Sequence, residues 1–165
     1  MIAGYSLYFK GTKTPTNFPE KIMNYNKITT IRRGYRWLHA FHNANLNEKE
    51  LIIQHSIGVR TKAFYNFQSN VVKNVFKVKM MLSERHDFGL CIIIDYTLVS
   101  PEMLFGIEGF ENVEAFVHWF KSDIKKNGNF EGSMIFWTDL DVRKLGKSTI
   151  GAEIDPKFLF NSHGN

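Results

Sequence analysis

One heptad, Lys27-Ile28-Thr29-Thr30-Ile31-Arg32-Arg33, gathers a lysine, two threonines and two arginines. Its middle is β-branched, which predicts a strand over 28–31. Positions two apart on a strand share a face, so Thr30 and Arg32 point away from the side taken by Ile31. Lys27 stands at the strand's entry and can lean to either side. A lysine held in a dry pocket loses its charge more readily, as a base or the activator of a nucleophile must. A threonine hydroxyl beside it attacks or orients water. Taken alone, the heptad also fits a solvated strand edge. A carboxylate to carry protons is offered by Gly106-Ile107-Glu108-Gly109-Phe110-Glu111, a glycine-flanked loop before a helix. Glu108 is the first choice. Glu111 is the second, because Glu111 and Glu114 also suit the positive end of the helix that follows. Gly58-Val59-Arg60-Thr61-Lys62 is a glycine turn with alternating basic and hydroxyl residues, fit for a phosphate and equally fit for a hairpin. Trp137 and Tyr65 offer flat faces on which a base can stack, although a tryptophan at the end of a strand is also a natural core plug.

Strands and short helices must position these groups. The chain opens on a strand over residues 3–9, passes a Thr/Pro/Asn loop over 12–17, and enters a short helix over 18–24 with Pro19 in its first turn. Residues 34–48 carry Trp37, His39, Phe41, His42 and several Asn, and read as an irregular excursion. Strands are predicted over 50–57, 71–82 and 90–96. In the second, Phe76, Val78, Met80 and Leu82 alternate with Lys77, Lys79 and Met81, so one face is buried. The third is apolar on both faces and reads as central. Ser100 caps a helix with Pro101 in its first turn. Asn112 caps a longer one, in which Val113, Phe116, Val117, Phe120 and Ile124 form one stripe. Asn127-Gly128 stops that helix, and 130–138 is the last strand. This order predicts an α+β domain over 1–160, a mostly antiparallel sheet or small β-barrel with two or three flanking helices, and a frayed tail over 161–165.

Composition narrows the chemistry further. The 165 residues carry a net charge of +5 and 15% aromatic content, ample for one bulky core. Residues 1–85 hold 14 Lys/Arg against 4 Asp/Glu, whereas 86–165 hold 7 against 12. A polyanion is drawn to surface built from the first half, or the two halves attract each other within the fold. The lone Cys91 lies in an apolar run, which predicts a buried, inert thiol and fits a reducing cytoplasm. No run approaches the roughly 20 apolar residues of a membrane span, and residues 1–10 do not read as a signal peptide. The six histidines are scattered without zinc-type spacing, so no metal is expected. No cofactor-binding glycine motif occurs.

Four motifs in order resemble the ASCH superfamily, in the version carried by phages and bacteria. A K-x-x-T-x-R opening is matched by Lys27, Thr30 and Arg32, and G-V-R-T-K followed by an aromatic by Gly58 to Lys62 and Phe64. An acid-G-F loop before a helix ending in W-F is matched by Glu108-Gly109-Phe110 and Trp119-Phe120. A closing W-T-D-L is matched by Trp137 to Leu140. The resemblance spans about residues 18–140. It implies a PUA-like barrel whose cleft binds RNA or a modified nucleoside. One bacterial branch hydrolyses the acetyl amide of N4-acetylcytidine with a Lys-Thr-Glu set, whose places Lys27, Thr30 and Glu108 take here. Arg32, Arg33, Arg60, Lys62, Tyr65 and Trp137 are then the candidates for holding the nucleoside or its phosphates. The chain departs from the family at 34–49, which is longer and richer in aromatics, at Asn26 in place of glycine, and at Phe136 in place of histidine. Three functions follow: a hydrolase in which Lys27→Ala abolishes turnover at an unchanged thermal midpoint, a non-catalytic RNA-binding module, or a phage structural or inhibitory protein whose partner is another protein.

Overall fold

The computed structural model describes residues 1–9 and 12–140; the domain limit expected at 160 and the expected tail over 161–165 lie outside them. In chain order the elements are β1 (Ile2–Tyr5), α1 (Phe18–Met23), β2 (Thr29–Arg33), α2 (Arg36–Leu46), β3 (Ile52–Ile57), β4 (Tyr65–Val71), β5 (Asn74–Leu82), β6 (Leu90–Ile94), β7 (Thr97–Leu98), α3 (Pro101–Leu104), α4 (Val113–Asn127) and β8 (Phe130–Phe136). A single 3-10 turn, Asp87–Gly89, joins β5 to β6.

The fold is α+β with two sheets. One has three strands in the order β1-β3-β4, with β1 parallel to β3 and β4 antiparallel. The other has five, β2-β8-β5-β6-β7, all antiparallel. Among the described residues no ladder joins the sheets, so the expected closed barrel is not what the strands form. Gly132 to Phe136 of β8 are buried one after another, which requires cover on both faces of the five-stranded sheet. Both α2 and α4 lie against β5 and β8. The α4 stripe is as expected: Phe116, Val117, Phe120 and Ile124 are buried, Asn112 Oδ1 accepts from the Ala115 amide, and Gly128 (φ 77°) ends the helix. Ser100 likewise caps α3.

One expectation needs correction, and one strand was not read from the sequence. Residues 34–48 are not irregular: α2 occupies most of them. Trp37, Phe41 and Ala44 recur at i, i+4 and i+7, and burying that face outweighs the poor helix propensity of Asn and His. Strand β6 is interior, as its two apolar faces required: it pairs with β5 on one side and two-residue β7 on the other and is buried at every position. Strand β4 carried no expectation at all, because Tyr65-Asn66-Phe67-Gln68-Ser69-Asn70-Val71 is too polar to read as a strand. It is the exposed edge of the small sheet, where polar residues are tolerated. Cys91 is buried, and burial pushes its thiol up. Among the described residues no helix is long and apolar enough to cross a membrane.

Candidate active site

Lys27 precedes β2, where its backbone is held by the loop that follows α3. The Ile28 amide donates to Ile107 O at 3.1 Å, and Lys21 Nζ donates to Gly109 O at 2.9 Å. Gly109 has a φ of 79°, and a Cβ there would meet Lys27 Cβ and Cδ at 3.0 Å. Only glycine lets the loop lie this close to the lysine stem. That closeness brings together residues 81 apart: Lys27 Nζ lies 3.0 Å from Glu108 Oε2 and also donates to Glu108 O. The pair is dry, Lys27 being 2% exposed and Glu108 3%. Burial pulls the lysine down from its ordinary value, and the Glu108 charge opposes that in part. The Phe18 ring lies 4.8 Å from Nζ. Glu108 Oε1 is buried with no hydrogen-bond partner among the described residues.

The pair borders a recess of about 60 Å3, with Tyr5, Thr30, Arg32 and Phe110 among its walls. Thr30 and Arg32 share a face of β2, as the alternation required, and Thr30 is buried. Arg32 Nη2 donates to Gly4 O at 2.7 Å, its Cζ lies 4.9 Å from the Tyr5 ring, and its buried Nε has no partner among the described residues. Ile31, Arg32, Trp119 and Phe120 also line a wider groove of about 940 Å3, which runs past Phe9 and Phe130. The recess and the groove are neighbours that share these four side chains as walls. The recess's size suits a reacting group, and the groove's suits the body of a small molecule.

One wall of the recess, Tyr5, is backed by three residues not anticipated from the sequence. Tyr5 Oη lies 2.9 Å from His55 Nδ1, and His55 Nε2 lies 3.1 Å from Asn70 Nδ2. Gln68 Nε2 donates to Asn70 Oδ1 at 3.2 Å. Strand register builds this line. Tyr5, His55, Gln68 and Asn70 stand at alternating positions on neighbouring strands of the small sheet. Burial pushes the Tyr5 phenol up to about 12, with Arg32, Thr30 and Glu108 as the charged or polar groups around it. Burial, with the charges of Lys27 and Arg32, holds His55 down to about 4, so it is neutral at pH 7. Nothing local marks these residues. Only β4, the strand that the sequence hid, would have placed Gln68 and Asn70.

The other candidates lie elsewhere. Arg33 is not a free phosphate ligand: its guanidinium bonds Asp123 and the Gly128 and Asn129 carbonyls, fixing the negative end of α4. Trp137 is 5% exposed, with its ring edge-on to His55 at 4.6 Å, so it is core and not a stacking face. Glu111 is exposed and sits 3.7 Å from Lys21. Arg60, Lys62 and Tyr65 are exposed at the β3–β4 turn, away from the recess lining. Among the described residues no group of three or more His, Cys, Asp and Glu is placed to hold a metal. Comparison with protein-family models, curated proteins and solved structures found no match to this chain.

Proposed function

We propose that the chain hydrolyses the acyl amide of a modified cytidine-type nucleoside, on a PUA-like scaffold of the ASCH kind in which the two sheets stand as an opened barrel. One observation carries the reading: Lys27 and Glu108, singled out as a catalytic pair from motifs far apart in the chain, form a buried ion pair lining a recess that Thr30 also lines. Desolvation lowers the cost of moving a proton between nitrogen and carboxylate. Once Lys27 has given a proton to Glu108, the Thr30 hydroxyl passes its own proton to the freed amine while Oγ1 attacks the acyl carbon. The Lys27–Glu108 pair returns that proton to the leaving nitrogen as the C–N bond breaks. Water then cleaves the threonine ester, giving its hydroxyl to the acyl group and its remaining proton to Thr30. Arg32 faces the developing oxyanion. The base lies along the aromatic groove. A cytoplasmic setting goes with such a substrate.

The test is hydrolysis of N4-acetylcytidine and a panel of acylated nucleosides by wild type and Thr30→Val. Turnover by wild type with a loss of at least a hundredfold in the variant supports the assignment. No turnover by wild type across the panel sinks it, and equal turnover in both removes Thr30 as the nucleophile.

A second reading has its own observation. Arg60 and Lys62 are exposed and, among the described residues, unpaired, beside exposed Phe64 and Tyr65. Cations next to aromatic faces are how a non-catalytic module grips single-stranded RNA.

A further inference from the structure

Resting on the hydrolase reading, we infer that Tyr5 is the hydrogen-bond donor to the carbonyl oxygen of the bound acyl amide, its proton aimed into the recess by a one-way chain running from Gln68 through Asn70 and His55. The direction follows from the inventory of donors and acceptors. Gln68 Nε2 donates to Asn70 Oδ1, so the Asn70 group facing His55 is the amide nitrogen, which can only donate. His55 Nε2 must then accept. A neutral imidazole carries one proton, which is left for Nδ1, and Nδ1–H donates to Tyr5 Oη. The tyrosine's own proton is left for another acceptor, on the side where Thr30 and Glu108 lie.

Among the described residues, Glu108 Oε1 and Arg32 Nε are buried at the recess without a partner, and the Tyr5 hydroxyl proton, which His55 does not take, lies beside Thr30 and Arg32, where a bound oxygen can claim it. A secondary amide presents the complement, a carbonyl oxygen and an N–H on opposite sides of one planar group. Tyr5 takes the oxygen, and Glu108 Oε1 takes the N–H before the leaving nitrogen is protonated. An ester of the same shape offers the oxygen and leaves the carboxylate unpaired, which is costly in a dry site. The high phenol value keeps the donor protonated through the physiological range. His55 and Asn70 are positioning residues, since they act only through Tyr5.

Two measurements decide this. Long-range nitrogen–proton NMR of wild type reads the His55 tautomer directly, with or without catalysis. A proton on Nδ1 is expected, and a proton on Nε2 overturns the chain. Kinetics on N4-acetylcytidine should then show kcat falling roughly a hundred- to a thousandfold in Tyr5→Phe, the usual loss for one oxyanion donor, with KM nearly unchanged. The ring contacts persist in that variant, and a folded spectrum confirms that the loss is chemical. Full kcat in Tyr5→Phe overturns the role of Tyr5 and leaves the hydrolase standing. No turnover by wild type on amides, or faster turnover on matched esters, overturns the inference, and the first of these overturns the hydrolase with it.

Discussion

Two neighbouring clusters bury polar groups by opposite means. Lys27 and Glu108 bury opposite charges, dry and in direct contact. Buried Tyr5 and His55, with half-buried Asn70 and Gln68, line up neutral dipoles head to tail along a sheet. They meet where Lys27 Nζ lies 6.0 Å from the Tyr5 ring centroid. The first arrangement is expensive to hold and easily re-protonated, as befits acid–base chemistry. The second is cheap to hold and keeps its polarity, as befits a fixed donor. A site that moves a proton and also steadies an oxygen has use for both.

Breaking the ion pair should have the largest effect. Lys27→Ala leaves Glu108 buried without its partner, which costs about 3–5 kcal/mol for such pairs. The thermal midpoint should therefore fall sharply together with turnover, contrary to the unchanged midpoint that a solvated lysine would give. Lys27→Met combined with Glu108→Leu should regain most of the stability and none of the activity. If the single variant melts like wild type, the pair is not dry, and the contrast with the neutral line fails.

The neutral line should respond to acid. His55 is held down to about 4 against an ordinary value of 6.5, so between those values the unfolded chain binds the proton and the folded chain does not. Stability is present above about pH 6.5 and is lost as pH falls toward 4. At roughly 1.4 kcal/mol per unit, the loss attributable to this group is about 3 kcal/mol. Tyr5, Asn70, Phe67 and Trp137 surround the ring, with Lys27 and Arg32 as the cations acting on it. Denaturant titrations of wild type and His55→Gln at pH 7.5 and 4.5 check this, and the variant should lose distinctly less. Equal losses would place the acid sensitivity elsewhere.

Thr30→Val sharpens the boundary between the clusters. Removing one hydroxyl from a packed strand costs about 1 kcal/mol of stability. Turnover should nevertheless be lost, because the nucleophile is gone while the volume remains. A variant with normal turnover would leave water as the attacking group.

The clusters also differed in how far they could be read from the chain. Lys27, Thr30, Glu108 and the Asn112 cap stand in short segments whose residue types imply a role, and alternation put Thr30 and Arg32 on one face. The apolar strands β5, β6 and β8 and the stripe of α4 follow from periodicity. Helix α2 escaped because its Asn and His residues speak against a helix until burial of Trp37 decides the matter. Tyr5, His55 and Asn70 escaped because their partnership exists only through the register of β1, β3 and β4. A polar edge strand announces neither itself nor its register. Trp137 and Arg33 were legible as residue types but not as partners, since His55 and the end of α4 claim them through tertiary contacts alone.

The smallest effect on the fold should come from Arg60 and Lys62, which belong to neither cluster. Changing both to Ala removes no ion pair among the described residues, so stability should stay within about 0.5 kcal/mol of wild type. Turnover of a free nucleoside should be unchanged, because neither side chain lines the recess or the groove. Affinity for a short single-stranded RNA separates the two functional readings. If the β3–β4 turn grips phosphates, wild-type binding should weaken steeply with salt and the double variant should show a shallower dependence. If wild type binds RNA weakly, with the same salt slope as the variant, the two cations are ordinary solvated charges on a hairpin. The buried pair and the neutral line then carry the functional reading without them.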